Sequence, residues 1–110
     1  MDTKTASDTL SALAQPTRLD AFRLLVRHEP AGLPAGDIAR ALGVPQNTGS
    51  THLAILVQAG LARSERAGRS VVYRADLDRF RELTLYLLKD CCGGRADLCA
   101  PLIAELTPCC

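Results

Sequence analysis

All five cysteines of this 110-residue chain fall in its last twenty residues: Cys91 and Cys92 side by side, Cys99, then Cys109 and Cys110. A thiolate is a nucleophile, a soft metal ligand and a redox group, so this crowding is the most chemically loaded feature of the sequence. The opening MDTKTASDTLSALAQPTR lacks a basic stretch followed by an apolar core, and no run of ~18 apolar residues follows. These features predict a cytoplasmic chain without a membrane segment, where thiols stay reduced. An odd number of cysteines would also leave one unpaired in any disulfide framework. Thiolate ligands or redox thiols are therefore favoured over structural disulfides.

Spacing narrows the chemistry. Adjacent side chains on an intact helix point about 100° apart, which is awkward for joint chelation by Cys91 and Cys92. Gly93-Gly94 follows at once, ends the helix and frees the backbone. The chain can then fold back across Arg95-Ala96-Asp97-Leu98 and bring Cys99 toward the pair. A free cysteine is often a small buried apolar residue, but packing gives no reason for Cys-Cys beside Gly-Gly. The tail has no histidine and no C-x-x-C pair, so a tetrahedral zinc or cadmium site ranks below a three-thiolate site. A redox switch in which Cys99 resolves an oxidised Cys91 or Cys92 is a further alternative. Catalysis is not expected, because the thiols sit at a helix C-terminus, where the dipole disfavours a thiolate.

The residues before the tail must say what such a site would control. With 47% apolar and 23% charged residues the composition is that of one ordinary globular domain. Residues 1–75 carry nine Lys/Arg against six Asp/Glu, and residues 76–110 carry four against six. The front of the chain suits a polyanion better than the back does. The expected division is a domain over 1–92 and a cysteine-rich tail over 93–110.

Helical periodicity predicts a first helix from Ser7 to Ala14, capped by Ser7 or Asp8 and presenting Leu10 and Leu13. A second starts at Pro16 with Leu19, Phe22, Leu25 and Val26 on one face, and EPAGLP breaks it. A third presents Ile38, Ala39 and Leu42 and stops at Gly43. A fourth follows Val44, with Leu53, Leu56 and Val57 as a narrow apolar stripe, and ends at Gly60. Strands over 61–66 and 70–75 flank a turn at Ala67-Gly68-Arg69. In the last helix Leu77, Phe80, Leu83, Leu85, Tyr86, Leu87 and Leu88 make more apolar surface than one small domain can cover, so part of it should meet a partner chain.

Two short helices joined by the tight turn GVPQN, the second polar at its N-terminal end, form a helix-turn-helix pattern. An α-helix fits the DNA major groove, and its first turns aim small polar side chains at base edges. Gln46 and Asn47 suit adenine. Thr48, Ser50 and Thr51 suit bases or phosphates, and His52 can donate to a phosphate. The hairpin carries Arg63, Arg66, Arg69 and Arg74 against Glu65 and is a candidate wing lying along the DNA backbone, with Arg66 and Arg69 the expected contacts. Any of these alone would read as a wet surface, whereas their order does not.

Read together, LAQPTRLDAFRLL and DIARALGVPQNTGSTHLAILVQAGLARSERAGRSVVYR resemble the winged helix-turn-helix of the ArsR family of metal- and metalloid-responsive repressors, over roughly residues 8–92. The resemblance implies a mainly α fold with a small β-hairpin, a homodimer built on the first and last helices, and an inverted-repeat operator in double-stranded DNA. Family members often carry a hydrophobic residue at position 49 and a lysine at position 54, where this chain has Gly49 and Ala54. Gly49 costs the recognition helix about 1 kcal/mol against alanine, unless close approach to DNA requires it.

Arsenic-sensing members of that family often place cysteines at or just before the recognition helix, and GDIARALGVPQN has none. Others carry a cysteine trio just past the last helix, which Cys91, Cys92 and Cys99 resemble. Trivalent arsenic and antimony are thiophilic and pyramidal, so three thiolates satisfy them. Arsenite or antimonite is thus the expected inducer, with Cys109 and Cys110 as auxiliary candidates.

Overall fold

The computed structural model describes residues 1–89 and, beyond them, Pro101 alone. Its order is α1 (Thr3–Leu13), α2 (Pro16–Arg27), β1 (Leu33–Pro34), α3 (Ala35–Leu42), α4 (Gln46–Gln58), β2 (Ala62–Ala67), β3 (Ser70–Ala75) and α5 (Leu77–Lys89). The fold is the expected one, helices with a small antiparallel sheet. The boundary expected at residue 92 lies outside the described residues.

Local chemistry sets most of the ends. The Thr5 N–H donates to Asp2 Oδ1 over 2.8 Å. That cap starts α1 at Thr3, ahead of the Ser7 or Asp8 expected from the sequence. The same N–H holds the Asp2 carboxyl below its ordinary pKa. Gln15 caps α2 in the same manner, accepting from the Arg18 N–H over 2.9 Å, and Pro16 takes the first position, where no N–H is needed. Gly43 closes α3 with φ 68°, a left-handed conformation that costs other residues.

The core is assembled from one face of each of α1 to α4 plus the root of the hairpin. Leu25, Ile38, Leu53, Leu56 and Leu61 are fully buried, and Ala21, Phe22, Leu24 and Ala75 pack in the same cluster. Each buried leucine, isoleucine or phenylalanine among them contributes about 1.5–3 kcal/mol. In α2 the inner face is Ala21, Phe22, Leu24 and Leu25, so Leu19 and Val26, expected inside, lie at the surface. The sheet has the order β1-β3-β2. Its short β1, which the sequence reads only as a break, pairs Leu33 with Tyr73 and Pro34 with Val72. In the hairpin Ala67 pairs with Ser70, leaving a two-residue turn in which Gly68 takes φ 63°.

Helix α5 runs beside α1 and is tied to it by Thr3 Oγ1 and Tyr86 OH at 2.6 Å. It turns Leu83 inward, at 2% exposure. Leu77, Phe80, Leu85 and Leu87 remain outside, as does Leu10 of α1. The surplus apolar surface expected of the last helix is therefore present.

Candidate nucleic-acid interface

Helix α4 stands on a seam of Gly49, Leu53 and Leu56. At about 100° per residue, Asn47, Thr51, Ala54 and Gln58 lie on the side opposite that seam, and all four are exposed. Nothing on this outer strip is charged. Gln46 and Ser50 occupy the flank facing the hairpin, where they line a groove of about 510 Å³ with Arg69, Ser70, Tyr73 and the start of α3. Pro45 precedes the helix and gives its first turn no side-chain cap.

Gly49 has a reason that the sequence did not suggest. A Cβ built there would lie 3.2 Å from Ala39 Cβ and 3.6 Å from Val44 Cγ2. The missing side chain lets α4 settle against α3, so the close approach is to protein and not to DNA. A methyl group there would press on Ala39, so glycine suits this α3–α4 contact.

Within the polar turn, the Thr48 N–H donates to Asn47 Oδ1 over 2.9 Å, and Thr51 Oγ1 donates to Asn47 O over 3.0 Å. Asn47 keeps its amide NH2 and a second Oδ1 lone pair for a base edge. Thr51 keeps its hydroxyl oxygen as an acceptor. His52 is placed differently from its neighbours. It is half-buried, with Nδ1 3.4 Å from Arg18 Nη1, while Arg18 Nε donates to Ala12 O over 2.7 Å. The Nδ1 side of the ring therefore faces the protein, and Arg18 joins the end of α1 to the middle of α4. In the sequence Arg18 stands within QPTRL as an ordinary helix residue, and no local signal marks a strut of this kind.

The hairpin arginines separate into two groups. Arg74 pairs with Glu65 and donates from Nε to Pro30 O over 3.0 Å, so it belongs to the sheet. Arg66 and Arg69 are exposed and form no ion pair among the described residues. Arg66 shares a face of β2 with Ser64 and the buried Ala62, the face the sheet turns toward the helices. Arg69 sits in the turn, across the groove from Gln46 and Ser50. A polar, uncharged helix surface flanked by guanidinium groups can contact base edges with the one and phosphates with the other.

Cys91, Cys92, Cys99, Cys109 and Cys110 all lie outside the described residues. Among the described residues no group of three His, Cys, Asp or Glu side chains is arranged to hold a metal ion. No described helix is long and apolar enough to cross a membrane.

A helix-turn-helix followed by a two-stranded wing is the winged helix-turn-helix architecture, and residues 13–65 match the helix-turn-helix domain family. The chain is 42% identical over 67 residues to the HTH-type transcriptional regulator NmtR of Mycobacterium tuberculosis, covering 61% of this chain and 53% of that one. It spans about half the length of the curated relatives it matches. Among solved structures it resembles the homodimeric winged helix-turn-helix DNA-binding domain of a possible ArsR-family regulator from Mycobacterium bovis, with a TM-score of 0.65, 26% identity and 82% of each chain covered. It also resembles a possible transcriptional regulator for arsenical resistance, with a TM-score of 0.66 and 26% identity over 89% of this chain and 95% of that one. This chain has the winged helix-turn-helix fold that these neighbours share.

Proposed function

We propose that this protein is a homodimeric transcriptional repressor that holds an inverted-repeat operator and releases it when arsenite or antimonite binds tail thiolates. The observation that carries the DNA-binding part is the groove in which Arg69 of the hairpin turn lies across from Gln46 and Ser50 on the uncharged first turns of α4. In that reading α4 enters the major groove. Gln46 and Asn47 contact base edges, and Thr48, Ser50 and Thr51 contact bases or phosphates. Arg66 and Arg69 follow the backbone. His52 acts through Arg18, keeping α4 at a fixed distance from α1. Dimerisation rests on the exposed Leu10, Leu85 and Leu87, since two half-sites need two recognition helices.

The inducer assignment rests on chemistry. Cys91, Cys92 and Cys99 offer three soft thiolates within nine residues of sequence, which suits a pyramidal metalloid. The 26% identical structural neighbour described as a possible regulator for arsenical resistance supports the same reading. An inducer must favour the DNA-free conformation, because a ligand with equal affinity for both states shifts nothing. The trio begins two residues after Lys89, the last described residue of α5, so drawing the thiolates together would act on the helix that carries Leu85 and Leu87.

The test is to select a DNA site from a random duplex pool, then titrate the complex separately with arsenite, zinc and peroxide. Arsenite should release the DNA, and Cys91→Ser, Cys92→Ser and Cys99→Ser proteins should bind it yet stay bound. Cys109→Ser and Cys110→Ser should respond as the parent does. Release by zinc or peroxide alone would replace the inducer assignment, and a Cys99→Ser protein released at the parent's arsenite concentration would remove the three-thiolate site.

A further inference from the structure

Between the end of α2 and the start of α5 lies an apolar groove of about 360 Å³, lined by Phe22, Val26, Leu77 and Phe80 with Arg23 and Arg27 on its rim. Phe22 and Phe80 lie against each other in it, their ring centroids 5.6 Å apart and their planes tilted by 34°. Val26, Leu77 and Phe80 are each about two-fifths exposed. The groove lies at the opposite end of α5 from Leu85 and Leu87, so it is separate from the dimer surface proposed above. Nor does any part of the DNA reading use it.

We infer that the occupant of this groove is the chain's own segment 97–106, DLCAPLIAEL. Its composition is complementary: Leu98, Leu102, Ile103 and Leu106 match the apolar walls, and Asp97 and Glu105 match the two rim arginines. Length permits it. Helix α5 has 13 residues, so returning to its start means covering about 18 Å at 1.5 Å per residue. Residues 90–97 span up to about 26 Å when extended, with Gly93-Gly94 to turn on. Docking would cover Val26, Leu77 and Phe80 and would place Cys99 inside the anchored segment and Cys91 and Cys92 in the strap leading to it. The inference does not depend on DNA binding or on the identity of the inducer.

The experiment uses the full chain with a benzophenone amino acid at position 26, or at position 77 as a second probe, since both side chains are exposed enough to accept it. An equal mixture of light and heavy-isotope protein is illuminated, and the cross-linked peptides are mapped by mass spectrometry. Cross-links to residues 97–106 within one chain are expected from both probes. Arg23→Glu with Arg27→Glu should lower their yield roughly threefold to tenfold, the effect of two exposed ion pairs made repulsive. Adding Asp97→Lys and Glu105→Lys should restore it. Cross-links to α1 or α5 of a second copy, cross-links to the tail of a second copy only, or none to the tail would each overturn the inference.

Discussion

Helices α4 and α5 face outward with opposite chemistry. Around its buried seam α4 shows Gln46, Asn47, Thr48 and Thr51 to solvent, whereas α5 buries Leu83 and shows Leu77, Phe80, Leu85 and Leu87. Amides and hydroxyls can exchange water for base edges or phosphates at little desolvation cost. Leucine side chains gain only by leaving water, so they call for protein. What each helix is for is written in the residues that its own fold does not use.

The comparison breaks most severely at α5. Leu87→Glu places a charge on the exposed apolar surface and should give monomers by sedimentation. Losing the second recognition helix should then weaken DNA binding by roughly a hundredfold or more. Leu83 cannot serve this test, although the sequence pattern groups it with Leu87. At 2% exposure it belongs to the monomer's own interior, and a charge there would unfold the chain. A dimer unchanged by Leu87→Glu would move the interface elsewhere.

Gly49→Val tests the seat of α4. Its Cβ would meet Ala39 Cβ at 3.2 Å, and such overpacking costs about 1–3 kcal/mol in thermal or denaturant unfolding. A variant as stable as the parent would show that the α3–α4 contact gives easily. At the outer surface, Asn47→Ala should cost about 1–3 kcal/mol on the selected site and relax discrimination at one base pair. Arg69→Ala should weaken all sequences alike and lower the salt slope by about one. If both substitutions behaved identically, the division between base reading on α4 and phosphate contact on the wing would fail.

The smallest effect lies at the first helix. Asp2 has its pKa lowered in the folded state by the Thr5 N–H. Its contribution is present above the unfolded carboxyl pKa and is lost as pH falls through the lower folded value. The Thr5 amide resonance should therefore titrate below the ordinary carboxyl pKa of 3.8, and Asp2→Ala should abolish that titration.

Much of this arrangement was legible because its signals are local. Gly43 and Gly68 marked a helix stop and a hairpin turn, Pro16 marked a helix start, and the surplus of leucine in α5 was visible from periodicity. What was not legible depended on small residues or distant partners. Ala21 is completely buried and Gly49 is a helix–helix contact, yet a search for large apolar residues passes over both and turns α2 toward Leu19 and Val26. Strand β1 exists only because β3 lies beside it. Arg74 looks like Arg66 in the sequence, and only the fold brings Glu65 and Pro30 O to it.

Hydrogen exchange by mass spectrometry on the full chain, with and without the selected DNA duplex, tests the contrast between α4 and α5 most directly. DNA should protect peptides covering 46–51 and the hairpin turn at 66–70, and should add no protection across 80–89. Protection of 80–89 with residues 46–51 unchanged would contradict the assignment of α4 to DNA and α5 to protein.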